Sequence, residues 1–214
     1  MADTLLQPIT IEENVDDIGV RRHEWTAEEV YRAMAAGVFD GQPADWLKME
    51  LIEGELIEKM PQNRPHSVAL SLAQEALTNA FQPGHYVAQQ SPLHIDNKSE
   101  PEPDVMVVVG RPRDYKSQPT SKEVRLVLEI SDTTLKQDRG RKARLYARAG
   151  ITDYWILILK NHTLEVRREP APSPENARLY EYRNLQVLYP SDSIAPLHAA
   201  ETTIRVADLL PDVE

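Results

Sequence analysis

The chain of 214 residues carries 24 basic and 34 acidic residues, so its formal net charge is −10. Its hydrophobic fraction of 41% and charged fraction of 27% are those of a folded globular protein and exclude a fully disordered one. No apolar run reaches the ~18 residues of a membrane span, and the lack of cysteine excludes disulfides, thiolate metal sites and cysteine nucleophiles. The N-terminal stretch has neither a basic start nor an apolar segment, so we expect a cytoplasmic protein without membrane association.

The charge is unevenly distributed along the chain. Residues 1–60 contain five basic and fourteen acidic residues, whereas residues 111–148 contain eleven basic and five acidic ones. The total charge argues against a polyanionic partner, because like charges repel. The basic segment is either the solvated face of a helix or a surface that meets phosphates, and the charge pattern alone leaves both possibilities open.

An acidic arm and a capped helix open the chain. Residues 1–24 are polar, acidic and without periodicity, which predicts an arm in front of a single domain comprising residues 25–214. Thr26 followed three residues later by Glu29 has the spacing of a capping box, and Gly37 is a typical helix stop. These signals predict the first helix.

A tight hairpin and a second helix follow. Residues 50–53 and 55–58 have the same sequence, Glu-Leu-Ile-Glu, and flank Gly54, a pattern that predicts two short antiparallel strands. Asn63 is a helix-capping residue with a proline two positions later, and small apolar residues then recur every four positions. The predicted second helix is amphipathic and ends at Pro83.

The rest of the chain is predicted to be mainly β-structure with one further helix. Period-two alternation and apolar runs rich in valine and isoleucine predict strands, and Leu145 with Ala149 predicts a helix that stops at Gly150. The predicted strands are residues 87–95, 104–109, 124–130, 154–159 and 163–168, with a helix at 138–149, a loop at 169–176 and a hairpin formed by 179–182 and 185–189. This order predicts an α/β fold, and near-continuous apolarity indicates central strands that are covered on both faces.

Two acidic residues stand where a buried strand favours apolar ones. Asp104 begins a strand of valines and methionine, and Glu129 lies within the run Leu-Val-Leu-Glu-Ile. A carboxylate buried in a central strand is costly unless it is paired or bound to a cation, so the two acids indicate a hard-oxygen site suited to Mg²⁺. Taken singly, Asp104 could instead cap a turn, and Glu129 could meet an arginine at a sheet edge.

The predicted third helix contributes a lysine to this hypothesis. Lys142 lies three and seven residues before the buried row of Leu145 and Ala149, so it is predicted to face inward. A packed lysine needs an anionic partner, and in phosphoryl transfer such a cation offsets charge in the transition state. The alternative is a lysine whose stem lies at the helix edge while its amine reaches water. Three arginines on a neighbouring face are predicted to contact phosphates, namely Arg141, Arg144 and Arg148.

Short motifs occur in a characteristic order along the chain. They are Glu-Leu-Ile-Glu-Gly-Glu (50–55), His66 at a helix start, Glu-Pro-Asp-Val (102–105), Leu-Glu-Ile-Ser (128–131), Asp138, Lys142, Tyr146, Ala-Gly-Ile (149–151) and Tyr-Trp (154–155). This set resembles the Uma family of restriction endonucleases, which is abundant in cyanobacteria and belongs to the PD-(D/E)XK nuclease superfamily. The resemblance covers roughly residues 47–210. It implies a restriction-endonuclease-like core, a mixed central sheet flanked by helices, with an N-terminal helix and hairpin and extra C-terminal strands.

The resemblance also implies roles for individual residues. Asp104 and Glu129 would be the two acids of the superfamily motif, and the carbonyl of Ile130 would be a third metal ligand. The superfamily's lysine normally stands two residues after the second acid, where this chain has Ser131. The family supplies it from the following helix, which gives the role to Lys142.

Some positions of the resemblance stay open. A further carboxylate completes such sites in some members, and Glu53 in the hairpin and Glu75 on the second helix are the candidates, with Glu53 closer to the motif. His66 matches a family position at the helix start and has either a site role or a capping and packing role. The family's aspartate soon after Tyr-Trp is absent here, and the usual hairpin aspartate is replaced by Glu53, whose side chain is one methylene longer.

These observations predict a Mg²⁺-dependent endonuclease that hydrolyses DNA, with Mn²⁺ able to substitute for Mg²⁺. Cleavage of both strands of a duplex favours a homodimer. Two alternatives remain: a non-catalytic nucleic-acid-binding or regulatory protein with the nuclease fold, and a metal-dependent hydrolase of smaller phosphorylated substrates. A buried catalytic set favours the enzyme, whereas the acidic total charge favours the smaller substrate.

Overall fold

The computed structural model describes residues 22–39, 49–59 and 61–212. Most of the predicted acidic arm, residues 1–21, lies outside the described residues. Within the described ranges no helix combines the length and the apolarity needed to cross a bilayer.

The N-terminal elements form at the predicted signals. They are helix α1 (Ala27–Ala35), strands β1 (Met49–Ile52) and β2 (Glu55–Glu58), and helix α2 (Arg64–Phe81). α1 begins with a complete capping box, in which Thr26 accepts from the Glu29 N–H while the Glu29 carboxylate accepts from the Thr26 N–H. The Asn63 side chain accepts from the His66 N–H at the start of α2. β1 and β2 are the predicted antiparallel hairpin.

A six-stranded mixed sheet forms the centre of the structure. Its strands lie side by side in chain order: β3 (His85–Gln89), β4 (Val105–Val109), β5 (Val124–Ser131), β6 (Asp153–Ile158), β7 (Thr163–Pro172) and β8 (Tyr180–Leu188). Only β5 and β6 are parallel neighbours; all other neighbours in this sheet are antiparallel. The parallel pair requires a crossover, and the helical segment between β5 and β6 supplies it. The predicted fold class is confirmed.

The crossover is helical but not uniformly α-helical. It consists of α3 (Leu135–Gln137), a π-helical turn (Asp138–Lys142) and α4 (Ala143–Arg148). The sequence predicted one α-helix over 138–149. The π turn widens the helix at the residues that face the end of β5, and such turns are frequent at functional sites.

Different elements cover the two faces of the sheet. α2 and the C-terminal segment, which contains β9 (Ser193–Ile194) and β10 (Ile204–Arg205), pack on one face around Leu77, Leu128 and Trp155. α4 packs on the other face, where Tyr146 and Val127 belong to a second cluster. Residues 127 and 129 therefore share the α4 face, since alternate residues of a strand point to the same side.

Two predictions for the C-terminal part are wrong. Residues 179–182 and 185–189 do not form a hairpin; all but the first and the last of these residues belong to the single strand β8, which pairs along β7 from Pro172 to Leu164. The predicted loop at 169–176 begins as part of β7. Its prolines are tolerated because β6 pairs with β7 only as far as Arg168, so Pro170 lies where β7 has no neighbour on that side.

Candidate active site

Asp104 and Glu129 meet because β4 and β5 are antiparallel. Val105, the first residue of β4, pairs with Leu128. Asp104, which directly precedes β4, therefore lies level with Glu129. The Ile130 N–H donates to Asp104 Oδ2 at 2.8 Å. Only 5% of Asp104 and 3% of Glu129 is exposed. The structure thus brings the two predicted acids together within the α4 side of the sheet.

Lys142 reaches this pair from the π turn. Its Nζ lies 3.0 Å from Glu129 Oε1 and 3.1 Å from Glu50 Oε2, and the residue is only 4% exposed. Burial by itself lowers the pKa of Lys142, but the charges of Glu129 and Glu50 outweigh burial and hold that pKa above its ordinary value. Lys142 is therefore a charged ammonium inside the protein, in the inward position that the sequence predicted.

The π turn that carries Lys142 is fixed at its start. The Thr134 hydroxyl donates to Asp138 Oδ2 at 2.6 Å, and the Tyr154 hydroxyl donates to the Asp138 carbonyl at 2.9 Å. Asp138 is itself buried, and this burial raises the pKa of its carboxyl. These bonds anchor the turn to the sheet, so the position of Lys142 is set by β6 as well as by its own helix.

The environment pushes the pKa of Glu129 upward. Burial raises it to about 7, the charge of Asp104 adds to the effect, and Lys142 opposes it. The Tyr146 hydroxyl donates to Glu129 Oε1 at 2.7 Å, and burial raises the pKa of Tyr146 well above its usual range, so this hydroxyl keeps its proton. Glu129 is consequently balanced between its charged and neutral forms near neutral pH.

Asp104 is shifted in the opposite direction. Burial acts to raise its pKa, but the His66 imidazole at 3.2 Å, the charge of Lys59 and the Ile130 N–H together lower it below the ordinary value. Two neighbouring carboxyls with pKa values moved apart are typical of catalytic sites. Asp104 is therefore the member of the pair that loses its proton more readily.

His66 lies in the first turn of α2, where its backbone completes the helix cap. Its Nε2 faces Asp104 Oδ2, and its buried Nδ1 has no hydrogen-bond partner in the described part of the chain. A role in capping and a contact with the site therefore coexist in one residue. The imidazole fixes the orientation of the Asp104 carboxylate.

The acidic residues that the hairpin contributes to the cavity are Glu50 and Glu58, not Glu53. Glu50 is 3% exposed, and its Oε2 accepts from the Glu102 N–H at 3.2 Å as well as facing Lys142. Glu53 lies at the hairpin turn with a φ of 51°, is exposed, and pairs with Arg141 at 3.0 Å. The sequence contained no signal that separates Glu50, because residues 50–52 are buried one after another and the pattern does not show which face of the hairpin is covered.

The remaining predicted residues lie outside the cavity. Arg141 donates to Glu53, Glu55 at 2.6 Å and the Ile52 carbonyl at 2.5 Å, so it ties the hairpin to the π turn. Arg144 and Arg148 are exposed on α4, where Arg148 pairs with Asp96 at 2.9 Å. Glu75 lines a different groove, between α2 and the C-terminal segment.

Asp104, Glu129 and Lys142 share one open cavity of about 270 Å³. Its acidic lining residues are Glu50, Glu58, Asp104, Glu129, Asp132 and Asp138. Its lysines are Lys59 and Lys142, and His66 is also in the wall. The cavity therefore carries an excess of negative charge, which repels a phosphate group unless a cation is bound with it.

The sequence matches the Uma2 family, described as "Putative restriction endonuclease", over residues 31–206. The chain belongs to the Uma2 family. The resemblance predicted from the motifs is confirmed. A search of functionally curated proteins finds no match.

A solved structure shares the fold of this Uma2 protein. It is a crystal structure from Anabaena variabilis described as a "putative nuclease belonging to DUF820". The TM-score is 0.57 with 18% sequence identity, and the match covers 75% of this chain and 88% of that one. At this identity the likeness concerns the fold alone.

The donor atoms of the Uma2 cavity suit a hard divalent cation. Asp104 and Glu129 would supply carboxylate oxygens, and Ile130, which also lines the cavity near the end of β5, would supply its backbone carbonyl; Mg²⁺ prefers such ligands together with water. No group of three or more His, Cys, Asp or Glu side chains in the described ranges is arranged to hold a metal ion. Two carboxylates and a carbonyl are a smaller donor set than such a group of three side chains. A bound cation would offset the repulsion between Asp104 and Glu129 that helps to raise the pKa of Glu129.

Proposed function

We propose that this Uma2 protein is a Mg²⁺-dependent endonuclease that hydrolyses phosphodiester bonds in DNA. The observation that carries the proposal is the meeting of Asp104, Glu129 and Lys142, from β4, β5 and the π turn, in one open cavity. Residues 25–214 would form the single nuclease domain. Cleavage of both strands would favour two copies related by a two-fold axis.

Each residue of the cavity has a proposed role. Asp104, Glu129 and the Ile130 carbonyl would hold Mg²⁺, which when bound polarises a phosphoryl oxygen and lowers the pKa of a water molecule. Lys142 would orient the nucleophilic water and stabilise negative charge on the phosphate, while Glu50 keeps the ammonium charged and in place. We assign to Glu50 the completing role for which the sequence offered Glu53 and Glu75 as candidates.

Metal dependence follows from the charge of the cavity. Six acidic side chains face two lysines, so the lining attracts cations and by itself repels phosphates. Mg²⁺ would bring positive charge to the place where the phosphate binds, and Mn²⁺ would substitute for it because both ions prefer oxygen ligands. The exposed Arg144 and Arg148 would contact the DNA backbone, whereas Arg141 is already engaged by the hairpin.

A plasmid-cleavage assay tests the proposal. The wild-type protein is expected to nick or linearise plasmid DNA with Mg²⁺ or Mn²⁺ and not with EDTA. Asp104→Asn and Lys142→Gln are each expected to lower the rate by about 100-fold or more, since the first removes a charged ligand of Mg²⁺ and the second removes the cation that stabilises charge on the phosphate. Asp212→Asn and Lys160→Gln are matched controls at exposed positions and are expected to leave the rate unchanged.

The same assay separates the two hairpin acids. Glu50→Gln is expected to lower the rate by at least about tenfold, because Lys142 loses one of its two carboxylate partners. Glu53→Gln is expected to change it less than about twofold. The opposite order would return the completing role to Glu53. Thermal denaturation of every variant shows whether a lost activity reflects unfolding.

A small-substrate phosphodiesterase is the second candidate, favoured by the acidic lining and by a cavity of only about 270 Å³. Metal-dependent hydrolysis of bis(p-nitrophenyl) phosphate without cleavage of plasmid, linear or single-stranded DNA would support it. DNA binding without hydrolysis of either substrate would support a non-catalytic binding protein. Both results would refute the endonuclease proposal.

A further inference from the structure

Lys59 is the more exposed of the two lysines that line the cavity of Asp104 and Glu129. It directly follows β2, and its side chain is half-buried, whereas Lys142 is buried. The charge of Lys59 reaches both acids, since it lowers the pKa of Asp104 and opposes the rise in the pKa of Glu129. None of the roles assigned so far to the residues of the cavity involves this lysine.

The Lys59 ammonium is held by a neutral group. Its Nζ donates to the backbone carbonyl of Glu102 at 2.7 Å. A carbonyl carries no net charge, so this bond positions the ammonium without neutralising it. Glu102 stands two residues before Asp104, and two residues of chain span at most about 7 Å. The bond therefore keeps a positive charge close to the proposed metal ligand Asp104.

Lys142 is placed differently, because its charge is already compensated. Glu129 at 3.0 Å and Glu50 at 3.1 Å both face its Nζ. When both acids are ionised, the three groups together carry a net negative charge, so they do not attract a phosphate before the reaction begins. Lys142 is suited to charge that develops in the transition state, whereas the first attraction of the substrate requires another cation.

The cavity offers few groups for that first attraction. No arginine is among the described residues that line it, and its six acids repel a phosphate. A bound divalent cation would supply part of the attraction, and Lys59 is the one lining lysine whose hydrogen bond is to a neutral group. A phosphate in DNA has two free oxygens, so one can meet the metal while the other meets an ammonium.

We propose that Lys59 is a substrate-binding residue whose ammonium holds a free oxygen of a DNA phosphate in the cavity. The inference rests on the proposed endonuclease function and deepens it. Lys59 binds the phosphate equally in the ground state and in the transition state, and Lys142 acts on the charge that develops afterwards. Because phosphate contacts carry no sequence information, Lys59 strengthens the binding of every DNA sequence to the same extent.

Three substitutions separate phosphate binding from a structural role. Lys59→Gln removes the charge but keeps an N–H donor for the Glu102 carbonyl, and Lys59→Arg keeps both the charge and the donor. Lys122→Gln is the matched control. Lys122 is exposed and lies before β5, at the end opposite Glu129 and about 20 Å from it at roughly 3.3 Å per residue. Unchanged thermal denaturation of Lys59→Gln shows that the structural bond is preserved.

Fluorescence anisotropy with labelled DNA duplexes, with Ca²⁺ in place of Mg²⁺, measures binding directly. Lys59→Gln is expected to raise Kd by about tenfold at low salt and to reduce the slope of log Kd against log salt concentration by about one. The increase is expected to be equal for two duplexes of unrelated sequence. Lys59→Arg and Lys122→Gln are expected to stay within about twofold of wild type. In plasmid cleavage, Lys59→Gln is expected to raise KM by about tenfold and leave kcat within about twofold, whereas Lys142→Gln lowers kcat.

The proposal is overturned by a wild-type chain that does not bind DNA, or by Lys59→Gln that binds with the affinity and the salt slope of wild type. A fall in kcat with an unchanged KM also overturns it, because Lys59 would then act in the transition state and not in binding. Failures of the two proposals are distinguishable. Binding through Lys59 without cleavage contradicts the endonuclease proposal alone, whereas wild-type cleavage that Lys59→Gln leaves unaltered contradicts the role of Lys59 alone.

Discussion

Replacement of Lys142 by methionine tests whether the buried charges of the cavity depend on one another. Lys142 faces Glu129 at 3.0 Å and Glu50 at 3.1 Å and is 4% exposed, so methionine fills most of the same space and removes only the charge. Two carboxyl groups are then left in the interior without their cation. The substitution therefore measures electrostatics with little change in packing.

The expected loss of stability is large. Removing one partner of a buried ion pair costs about 3–5 kcal/mol, because the remaining charge stays buried without compensation. For a chain of this size that corresponds to a fall in melting temperature of roughly 10 °C. Adding Glu129→Gln to Lys142→Met removes one of the uncompensated carboxyls and is expected to recover at least about 1 kcal/mol.

The loss is expected to depend on pH through Glu129. Burial raises the pKa of this carboxyl to about 7 in the folded protein, so the folded state binds the proton more tightly than the unfolded chain does. The contribution of this group to the free energy of unfolding is fully present at pH values below its pKa in the unfolded chain, and it is lost as the pH rises through its pKa in the folded protein. Without Lys142 that pKa rises further, so the cost of Lys142→Met is expected to be smaller at pH 5, where Glu129 carries its proton and Glu50 alone loses a cation, than at pH 8.

Urea unfolding in EDTA at pH 5 and pH 8 measures both quantities without a contribution from bound metal. Lys160→Met removes an exposed lysine and is expected to change the free energy of unfolding by less than about 0.5 kcal/mol at either pH. Equal stability of Lys142→Met and wild type at pH 8 would refute the buried-pair reasoning. A loss that is the same at both pH values would refute the assignment of the pH dependence to Glu129.

Arg141→Gln removes the hydrogen bonds that tie the hairpin to the π turn. We expect faster hydrogen exchange of the β1 and β2 amides and a free energy of unfolding that is lower by about 1–2 kcal/mol. Arg144→Gln, at an exposed position, is expected to leave both quantities unchanged. Protection of the hairpin that is identical in Arg141→Gln and wild type would contradict the clamp. Asp153→Asn leaves Arg168 without its buried carboxylate and is expected to cost about 3–5 kcal/mol in urea unfolding, against less than about 0.5 kcal/mol for Asp212→Asn. Similar unfolding midpoints for the two variants would show that the Asp153 network contributes little.

Local signals in the sequence were sufficient to predict those elements whose ends are set by contacts between residues close together in the chain. The capping box of Thr26 and Glu29, the hairpin around Gly54 and the cap at Asn63 each act within a few residues of their own position. The region of β8 was wrongly predicted as a hairpin. Its length is set by its hydrogen bonds with β7, and no local feature of the sequence indicates how far β7 extends. The π turn was missed for a similar reason, since Tyr154 and Thr134 anchor it from outside the turn.

The cavity was predicted in part. Asp104, Glu129 and Lys142 stood out because each places a charge where the surrounding periodicity favours a buried residue. Glu50 and Glu53 could not be separated in this way, because both belong to an acidic hairpin whose orientation depends on what it packs against. The side chain of Arg141 holds Glu53 at the surface, and Lys142 draws Glu50 into the interior.

By itself the sequence determined which charges would have to be buried and which family the motifs resemble, since periodicity and motif order are properties of the chain alone. Only the tertiary structure decided how those charges are compensated. The antiparallel register of β4 and β5 sets Asp104 beside Glu129, and the crossover between β5 and β6 delivers Lys142 to them. Tertiary packing also determines that one pKa rises while the other falls, because burial, hydrogen bonds and neighbouring charges act over a few ångströms in space and not along the chain.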